Sequence, residues 1–212
     1  MRIKPFTFNS LCENTYLVWD TDSLETAVID CGASTKAEEE ELSAFIAANR
    51  LRLTFALQTH THFDHIFGLP FIKEKYGIPP ACHPLDERIY LAMPEMSAQF
   101  GFRIPKPLPI ISATLAEGAT CRLGQTEFEI LHTPGHTPGG ICFHIPKEKI
   151  LFSGDTLFCG GIGRADLPGG DYKQEIESIK DKIMLLPDDT TVYPGHGPST
   201  TIGWERQNNM YL

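Results

Sequence analysis

Residues 60–65 read His-Thr-His-Phe-Asp-His, which places three of the chain's eight histidines and a carboxylate within six positions. In an extended chain, residues i and i+2 point to the same side, so His60 and His62 can bind one metal ion. Asp64 and His65 lie just beyond, where the chain turns toward a helix, and are free to bind a second ion nearby. The stretch therefore predicts a metal site at the end of a strand.

Three further segments place a candidate ligand directly after a predicted strand and a glycine, which permits the sharp turn that presents the next side chain. A Pro-Gly-His sequence alone is weak evidence, but the cluster at 60–65 strengthens it. Four converging strand ends would bring together five histidines and two aspartates, about the number that a dinuclear centre requires. These N and O donors suit zinc and also admit iron or manganese, because no thiolate is among them. The three segments are Thr133-Pro134-Gly135-His136, Ser153-Gly154-Asp155 and Tyr193-Pro194-Gly195-His196.

Composition excludes several classes of protein. The 212 residues are 42% hydrophobic and 21% charged, which predicts a folded core and argues against intrinsic disorder. With 27 acidic and 18 basic residues the net charge is −9, and no basic block is available to bind nucleic acid. The N-terminus lacks the apolar stretch of a secretory signal, and every apolar run is too short to span a membrane. We therefore expect a cytoplasmic protein without nucleic-acid or membrane partners.

Turn-rich composition, with 18 glycines and 16 prolines, predicts short elements in an α/β or α+β fold. Residues 1–212 show no repeat or linker, so we expect one domain. The first half of the chain is predicted to contain a β-meander over 1–31, a helix after the capping box Thr35-x-x-Glu38, a strand at Leu53–Leu57 and a helical stretch to about Gly77. A proline-rich lid or wall follows over 79–111. The second half is predicted to contain strands at 119–132, 139–145 and 149–153, a loop over 159–170, a helix that Asp171 caps and Pro187 ends, a strand at Thr191–Tyr193 and a short C-terminal helix.

Together these motifs resemble those of the metallo-β-lactamase superfamily, and within it a compact, single-domain branch of the glyoxalase II-like (hydroxyacylglutathione hydrolase-like) proteins. The resemblance implies a four-layer αββα sandwich of two mixed β-sheets flanked by helices. It also implies a first metal held by His60, His62 and His136, a second held by Asp64, His65 and His196, and a bridging Asp155. The motifs that carry the resemblance are His60-x-His62-x-Asp64-His65, Gly135-His136-Thr137, Gly154-Asp155-Thr156-Leu157-Phe158 and Pro194-Gly195-His196.

The same resemblance implies a metal-dependent hydrolase that acts on a small-molecule thioester of the S-2-hydroxyacylglutathione type. A hydroxide that bridges two divalent ions, zinc in the first instance, would attack the acyl carbon. Asp155 would bridge the metals. Asp64 would hold the second metal and could accept a proton. These two aspartates are the predicted catalytic residues.

Substrate contacts are predicted in the loop that follows Asp155, at Phe158, Arg164 and Asp166. In relatives that bind glutathione this loop carries a lysine and a tyrosine, and here Arg164 could take the lysine's role as a carboxylate clamp. Asp166 stands where the tyrosine is expected, so Arg164 and Asp166 could instead pair and rigidify the loop. The chain ends soon after His196, so a separate C-terminal glutathione-binding helical domain is not expected.

Alternative functions share these ligands. An iron-dependent persulfide dioxygenase of the same superfamily keeps the same ligand motifs and a Gly-Arg-x-Asp loop. Another ester or lactone metallohydrolase and a non-catalytic metal-binding module are more remote alternatives. RNA processing would require a basic groove, and β-lactam hydrolysis is not expected because the best-known zinc β-lactamases have cysteine where Asp155 stands. The oligomeric state is left open.

Overall fold

Two six-stranded sheets and a small ribbon are present in the computed structural model, which describes residues 1–104 and 107–212. Pro105, part of the predicted lid or wall, lies outside the described residues. Strands are numbered in chain order. The first sheet contains β1 (Arg2–Phe8), β2 (Glu13–Trp19), β3 (Glu25–Ile29), β4 (Arg52–Leu57), β5 (Pro80–Cys82) and β6 (Ala113–Thr114). The second contains β7 (Thr120–Leu123), β8 (Thr126–His132), β9 (Ile141–Ile145), β10 (Ile150–Gly154), β13 (Thr191–Pro194) and β14 (Thr200–Thr201), and the ribbon is β11 (Leu157–Phe158) with β12 (Gly161–Ile162).

Helices flank both sheets. They are α1 (Lys36–Ala48), α2 (Phe63–Ile66), α3 (Leu69–Tyr76), α4 (Glu87–Gln99), α5 (Tyr172–Asp181) and α6 (Ile202–Asn208), with short 3₁₀ turns at Pro84–Asp86, Pro146–Glu148 and Ile183–Leu185. In the described part of the chain, no helix is both long and apolar enough to cross a membrane.

Both sheets are mixed. The first has the order β1-β2-β3-β4-β5-β6, in which β1 to β3 pair antiparallel and β3 to β6 pair parallel. The second has the order β14-β13-β10-β9-β8-β7, in which β10 and β13 pair parallel and the other neighbours antiparallel. This architecture confirms the predicted α/β (α+β) class with two mixed sheets.

Alternating side chains on each strand generate the four layers. On β2, Tyr16 and Val18 pack in the core between the sheets, whereas Leu17 and Trp19 pack on the opposite face. The core between the sheets joins residues of both, including Ile29, Leu57, Phe128, Phe143 and Phe152. The outer face of the first sheet packs on the helix residues Leu42, Ile46, Ile72 and Met93, and that of the second on Ile179 and Ile202. The predicted αββα order is therefore observed.

The predicted start of α1 is confirmed, whereas the strand predicted over 119–132 is two strands, β7 and β8, and the loop predicted over 159–170 contains β12. The capping box at α1 is present, because Thr35 Oγ1 accepts from Glu38 N and Glu38 Oε2 accepts from Thr35 N. Helix α5, however, ends at Asp181 and not at Pro187. The chain tightens into a 3₁₀ turn there, which keeps Ile183 buried.

The predicted lid or wall contains a strand, β5, that the sequence interpretation missed, and the helix α4, which encloses Pro94. Met93 on α4 is buried in the core of the first sheet, while Met96 lines a cavity over the ligand cluster. The segment therefore forms one wall of that cavity.

Candidate metal centre

The predicted ligands meet where strands of both sheets end. His60, His136, Asp155 and His196 each follow a strand, namely β4, β8, β10 and β13. Two glycines make this convergence sterically feasible. A Cβ on Gly154, which has φ +50°, would lie 2.2 Å from Thr59 Oγ1, and one on Gly195 would lie 2.2 Å from Asp155 Oδ1. Only glycine fits at these two turns.

A first group of ligand atoms comes from three histidines. His62 Nδ1 lies 2.8 Å from His136 Nε2, which lies 3.3 Å from His60 Nε2. Ligands about 2.0–2.1 Å from a tetrahedral ion are about 3.3 Å apart, so these nitrogens fit around one divalent ion with little adjustment. All three residues are buried.

A second group joins Asp64, His65 and His196. Asp64 Oδ2 lies 3.2 Å from His196 Nε2 and 3.8 Å from His65 Nε2. His65 and His196 are far apart in the chain, so local spacing in the sequence could not by itself assign them to one group. The three ligand atoms are close enough to hold a second ion.

Asp155 lies between the two groups. Its Oδ1 is 3.3 Å from His65 Nε2 in the second group, and its Oδ2 is 3.6 Å from His136 Nε2 in the first and 3.7 Å from His196 Nε2. His65 Nε2 and Asp155 Oδ1 are buried, and neither makes a hydrogen bond with any residue that the structure describes. Buried polar atoms without a partner are costly, and a cation between them would remove that cost. The residues present therefore fit a pair of divalent ions.

Most of the histidines are held in place through their other ring nitrogen. Such contacts orient metal ligands and select the tautomer whose free lone pair faces the ion. With its Nδ1–H donated to Asp30, His65 directs Nε2 toward the cluster. The contacts are Thr59 Oγ1 with His60 Nδ1 (3.1 Å), Asp30 Oδ2 with His65 Nδ1 (3.1 Å), the Arg164 carbonyl with His136 Nδ1 (2.6 Å) and the Leu11 carbonyl with His196 Nδ1 (3.1 Å).

At four of the ligands, electrostatics favour the protonation states that metal binding requires, whereas nearby carboxylates outweigh burial and raise the pKa of His65 and His196, so an ion bound there would displace a proton. Burial lowers the pKa of His60 well below its usual value and that of His62 to about 3, so both imidazoles are neutral near pH 7. Burial alone would raise the pKa of Asp64 and Asp155. Neighbouring histidines, His65 foremost, outweigh it and lower both values, so these carboxylates are ionised.

Three buried carboxylates that support the site were missed by the sequence interpretation. Asp30 follows β3 and accepts from Thr59 N (2.8 Å) as well as from His65, and its place after a strand was a usable signal. Asp86 accepts from Thr61 N (3.0 Å), Thr137 Oγ1 (3.0 Å) and Gly139 N (2.6 Å). Glu175 on α5 accepts from His136 N (2.6 Å). The sequence around Asp86 and Glu175 gives no sign of these contacts.

A cavity of about 370 Å³ opens over the ligand cluster. Arg164 lines it, but its Nε and Nη2 donate to Asp166 Oδ1 (2.7 Å) and Oδ2 (2.8 Å). The two side chains therefore pair, which is the alternative that the sequence left open. Phe158 packs its ring against His196, with centroids 6.2 Å apart, and neither Phe158 nor Asp166 is among the described residues that line the cavity.

The remaining histidines lie outside the cluster, as expected. His83 and His132 stack with ring centroids 4.1 Å apart, and His132 Nε2 contacts the Pro138 carbonyl. His144 Nδ1 lies 3.1 Å from Glu129 Oε2 on the neighbouring strand. Each therefore has a structural partner.

Comparisons with known proteins identify the family of this chain. Hydroxyacylglutathione hydrolase GloC of Haemophilus influenzae is 38% identical, in an alignment that covers 100% of this chain and 98% of the relative. The crystal structure of the B3 metallo-beta-lactamase BLEG-1 matches with a TM-score of 0.88 and 35% identity over 100% of this chain and 99% of that one. TTHA1623 in a di-iron-bound form matches with a TM-score of 0.87 and 39% identity over 99% and 100%. The model of the metallo-beta-lactamase superfamily matches residues 13–196. The chain therefore belongs to the metallo-beta-lactamase superfamily.

Proposed function

We propose that the protein is a metal-dependent hydrolase of small-molecule thioesters, of the S-2-hydroxyacylglutathione type. The observation that carries the proposal is the position of Asp155, whose two oxygens face histidines of both ligand groups. A carboxylate shared between two ions is typical of dinuclear hydrolytic sites. The ligands would be His60, His62 and His136 for one ion, Asp64, His65 and His196 for the other, and Asp155 for both.

Bound there, two divalent ions would lower the pKa of a coordinated water and polarise the acyl carbonyl. The chain's own residues do the remaining work. Asp64 lines the cavity and its ionised carboxylate is placed to accept the proton that the attacking water loses. The water oxygen bonds to the acyl carbon, the C–S bond breaks, Asp64 passes its proton to the departing thiolate, and the thiol and the acid, which ionises in water, leave. Asp30 and Glu175 keep the ligand-bearing turns in position.

The full-length similarity to hydroxyacylglutathione hydrolase GloC supports a thioester as substrate. Zinc fits the donor set, and the di-iron form of TTHA1623 supports iron as a second candidate; manganese is also compatible. The cytoplasmic location and the lack of nucleic-acid and membrane partners stay predictions.

Two other activities would use the same ligands, and assays distinguish them from thioester hydrolysis. The similarity to the B3 metallo-beta-lactamase BLEG-1 favours β-lactam hydrolysis more than Asp155 alone suggested. Iron-dependent persulfide dioxygenation also stays a candidate because the ligand set admits iron. A chromogenic cephalosporin and oxygen uptake with glutathione persulfide test these two activities.

The proposal is tested on protein purified without added metal. Zinc, iron and manganese are quantified, and S-lactoylglutathione is assayed beside simpler acyl thioesters. We expect about two metal ions per chain and thioester hydrolysis that a chelator removes and metal restores. Oxygen uptake on the persulfide, or cephalosporin turnover, without thioester hydrolysis would contradict the proposal.

Histidine variants connect metal and activity. His60→Ala and His136→Ala should lose both metal and thioester hydrolysis, because each removes a ligand from the three-histidine group. The matched control is His144→Gln, a histidine that contacts Glu129 away from the cluster. It should keep both. Full turnover by either alanine variant would overturn the proposed role of the cluster.

A further inference from the structure

An aromatic wall stands at one side of the cavity. It consists of Phe63, Phe100 and Phe102, whose rings are stacked: Phe63 lies 5.9 Å from Phe100 and 5.3 Å from Phe102 between centroids, with interplanar angles of 29° and 28°. Phe67 supports Phe102 from behind at 6.1 Å. Offset stacks of this kind form a stiff, apolar surface.

The wall is attached directly to the ligand cluster, since Phe63 stands in the chain between His62 and Asp64. Further apolar side chains complete the sides of the cavity, while the ligands form its floor. Any group that contacts the wall therefore lies next to the reacting centre. The apolar lining residues besides the wall are Leu11, Met96 and Leu167.

The charged side chains that line the cavity also favour an apolar ligand. Among the described residues that line the cavity, Arg164 is the one lysine or arginine, and both ends of its guanidinium fork bind Asp166. The pair sits at the surface, with side chains 62% and 69% exposed. A carboxylate of an anionic thiol such as glutathione would have to displace Asp166 to reach this cation. Among the described residues, the lining thus offers extensive apolar contact and no unpaired lysine or arginine.

The volume of the cavity limits which half of a thioester it can hold. Ligand sites usually measure about 300–1,000 Å³, so a cavity of about 370 Å³ lies at the small end. It has room for one compact group, whereas a tripeptide thiol is larger. A compact acyl group matches this volume, whereas the larger thiol would have to extend to solvent.

Building on the proposed thioester hydrolysis, we propose a preferred substrate other than a 2-hydroxyacylglutathione: the aromatic wall binds the acyl group and makes the enzyme selective for compact apolar acyl groups, phenyl-substituted or branched aliphatic. The thiol carrier contributes little to selectivity. The substrate class is thus defined by its acyl half.

Two substrate series test this inference on the metal-loaded full chain. Acetyl, lactoyl, isovaleryl and phenylacetyl thioesters of N-acetylcysteamine vary the acyl group, and the same acyl groups on glutathione vary the thiol. We expect kcat/KM for phenylacetyl to exceed that for acetyl or lactoyl by about tenfold or more, because several apolar carbons enter the cavity. The change from one thiol to the other should alter kcat/KM less than the change of acyl group does.

Phe100→Ala is the diagnostic variant, and Leu91→Ala on helix α4, which ends immediately before Phe100, is its matched control. Both side chains are largely exposed, at 56% and 69%, so neither change should prevent folding, and Leu91 does not line the cavity. Phe100→Ala should reduce the phenylacetyl-to-acetyl ratio about fourfold or more, the effect of losing roughly one methylene of apolar contact. Leu91→Ala should leave the ratio unchanged.

Binding is measured separately from turnover. Calorimetry with the ketone in which methylene replaces the sulfur of phenylacetyl-N-acetylcysteamine should show weaker affinity for Phe100→Ala than for Leu91→Ala. Efficient hydrolysis with equal preference for lactoyl and phenylacetyl, or an unchanged ratio and affinity in Phe100→Ala, would overturn this inference and leave thioester hydrolysis standing. Failure to hydrolyse any member of either series would instead overturn the proposed function.

Discussion

Replacement of Asp86 is the sharpest test of how the site is held together. This buried carboxylate joins two ligand-bearing turns, since it accepts from Thr61, between His60 and His62, and from Thr137 and Gly139, after His136. It does not cap α4 through its side chain, so loss of a helix cap does not complicate the result.

Asp86→Ala leaves two buried backbone N–H groups, those of Thr61 and Gly139, without an acceptor. Each costs about 1–3 kcal/mol. Burial raises the pKa of Asp86, and relief of that desolvation offsets part of the loss. We therefore expect the free energy of unfolding to fall by about 2–4 kcal/mol, a large fraction of the ~5–15 kcal/mol of a typical domain. Metal affinity should fall about 10–100-fold as the turns loosen.

Urea denaturation of the metal-free protein measures the stability change, and competition with a chelator measures the affinity. Asp86→Asn keeps one acceptor oxygen and should lose less by both measures. Glu87→Ala, at the exposed neighbouring position, is the control and should behave as the parent protein. An Asp86→Ala protein with the parent's urea midpoint and metal affinity would refute the idea that this carboxylate joins the two turns.

Three further outcomes are expected. Asp30→Asn should weaken metal binding about 10–100-fold in a chelator competition, because the His65 ring loses its carboxylate partner; unchanged affinity would contradict this role. Glu175→Ala should lower the free energy of unfolding in urea by about 1–3 kcal/mol through the unpaired His136 N–H, and Glu175→Gln should recover most of it; equal losses would argue against the hydrogen bond. Burial lowers the pKa of His83 to about 4, so the folded state resists protonation and loses stability as pH falls from about 6.5 toward 4. His83→Asn should therefore show a smaller difference in the free energy of unfolding between pH 7 and pH 5, measured in urea. The same difference in the variant and the parent protein would refute this role of His83.

Local patterns predicted the elements whose physical cause is itself local. The capping box at Thr35 and Glu38 needs only residues three apart, and the β-meander predicted over 1–31 needs only short apolar runs separated by turns. The end of α5 was mispredicted because Pro187 is a strong local stop signal, whereas the helix stops earlier, at Asp181. Arg206 donates to the Met184 and Leu186 carbonyls across the fold, and no local pattern reports that contact.

Buried carboxylates also depend on contacts that local sequence patterns do not report. Asp86 and Glu175 look like solvated helix-end residues in the sequence, because a carboxylate gives no sign of burial until a distant backbone N–H meets it. The aromatic wall is similar, since Phe63 and Phe100 come from different helix ends and meet only when α4 packs beside α2. Such contacts depend on long-range packing.

The sequence by itself determined the candidate ligands and the grouping of His60 with His62, and its resemblance to a known superfamily implied the two-sheet fold and a bridging Asp155. Tertiary structure alone decided that Arg164 is paired with Asp166 and that the cavity is apolar. The physical reason is the sequence separation over which each effect acts. Backbone geometry determines where side chains point over a few residues, whereas the meeting of separate turns depends on strand pairing such as that of β10 with β13, across about forty residues of chain.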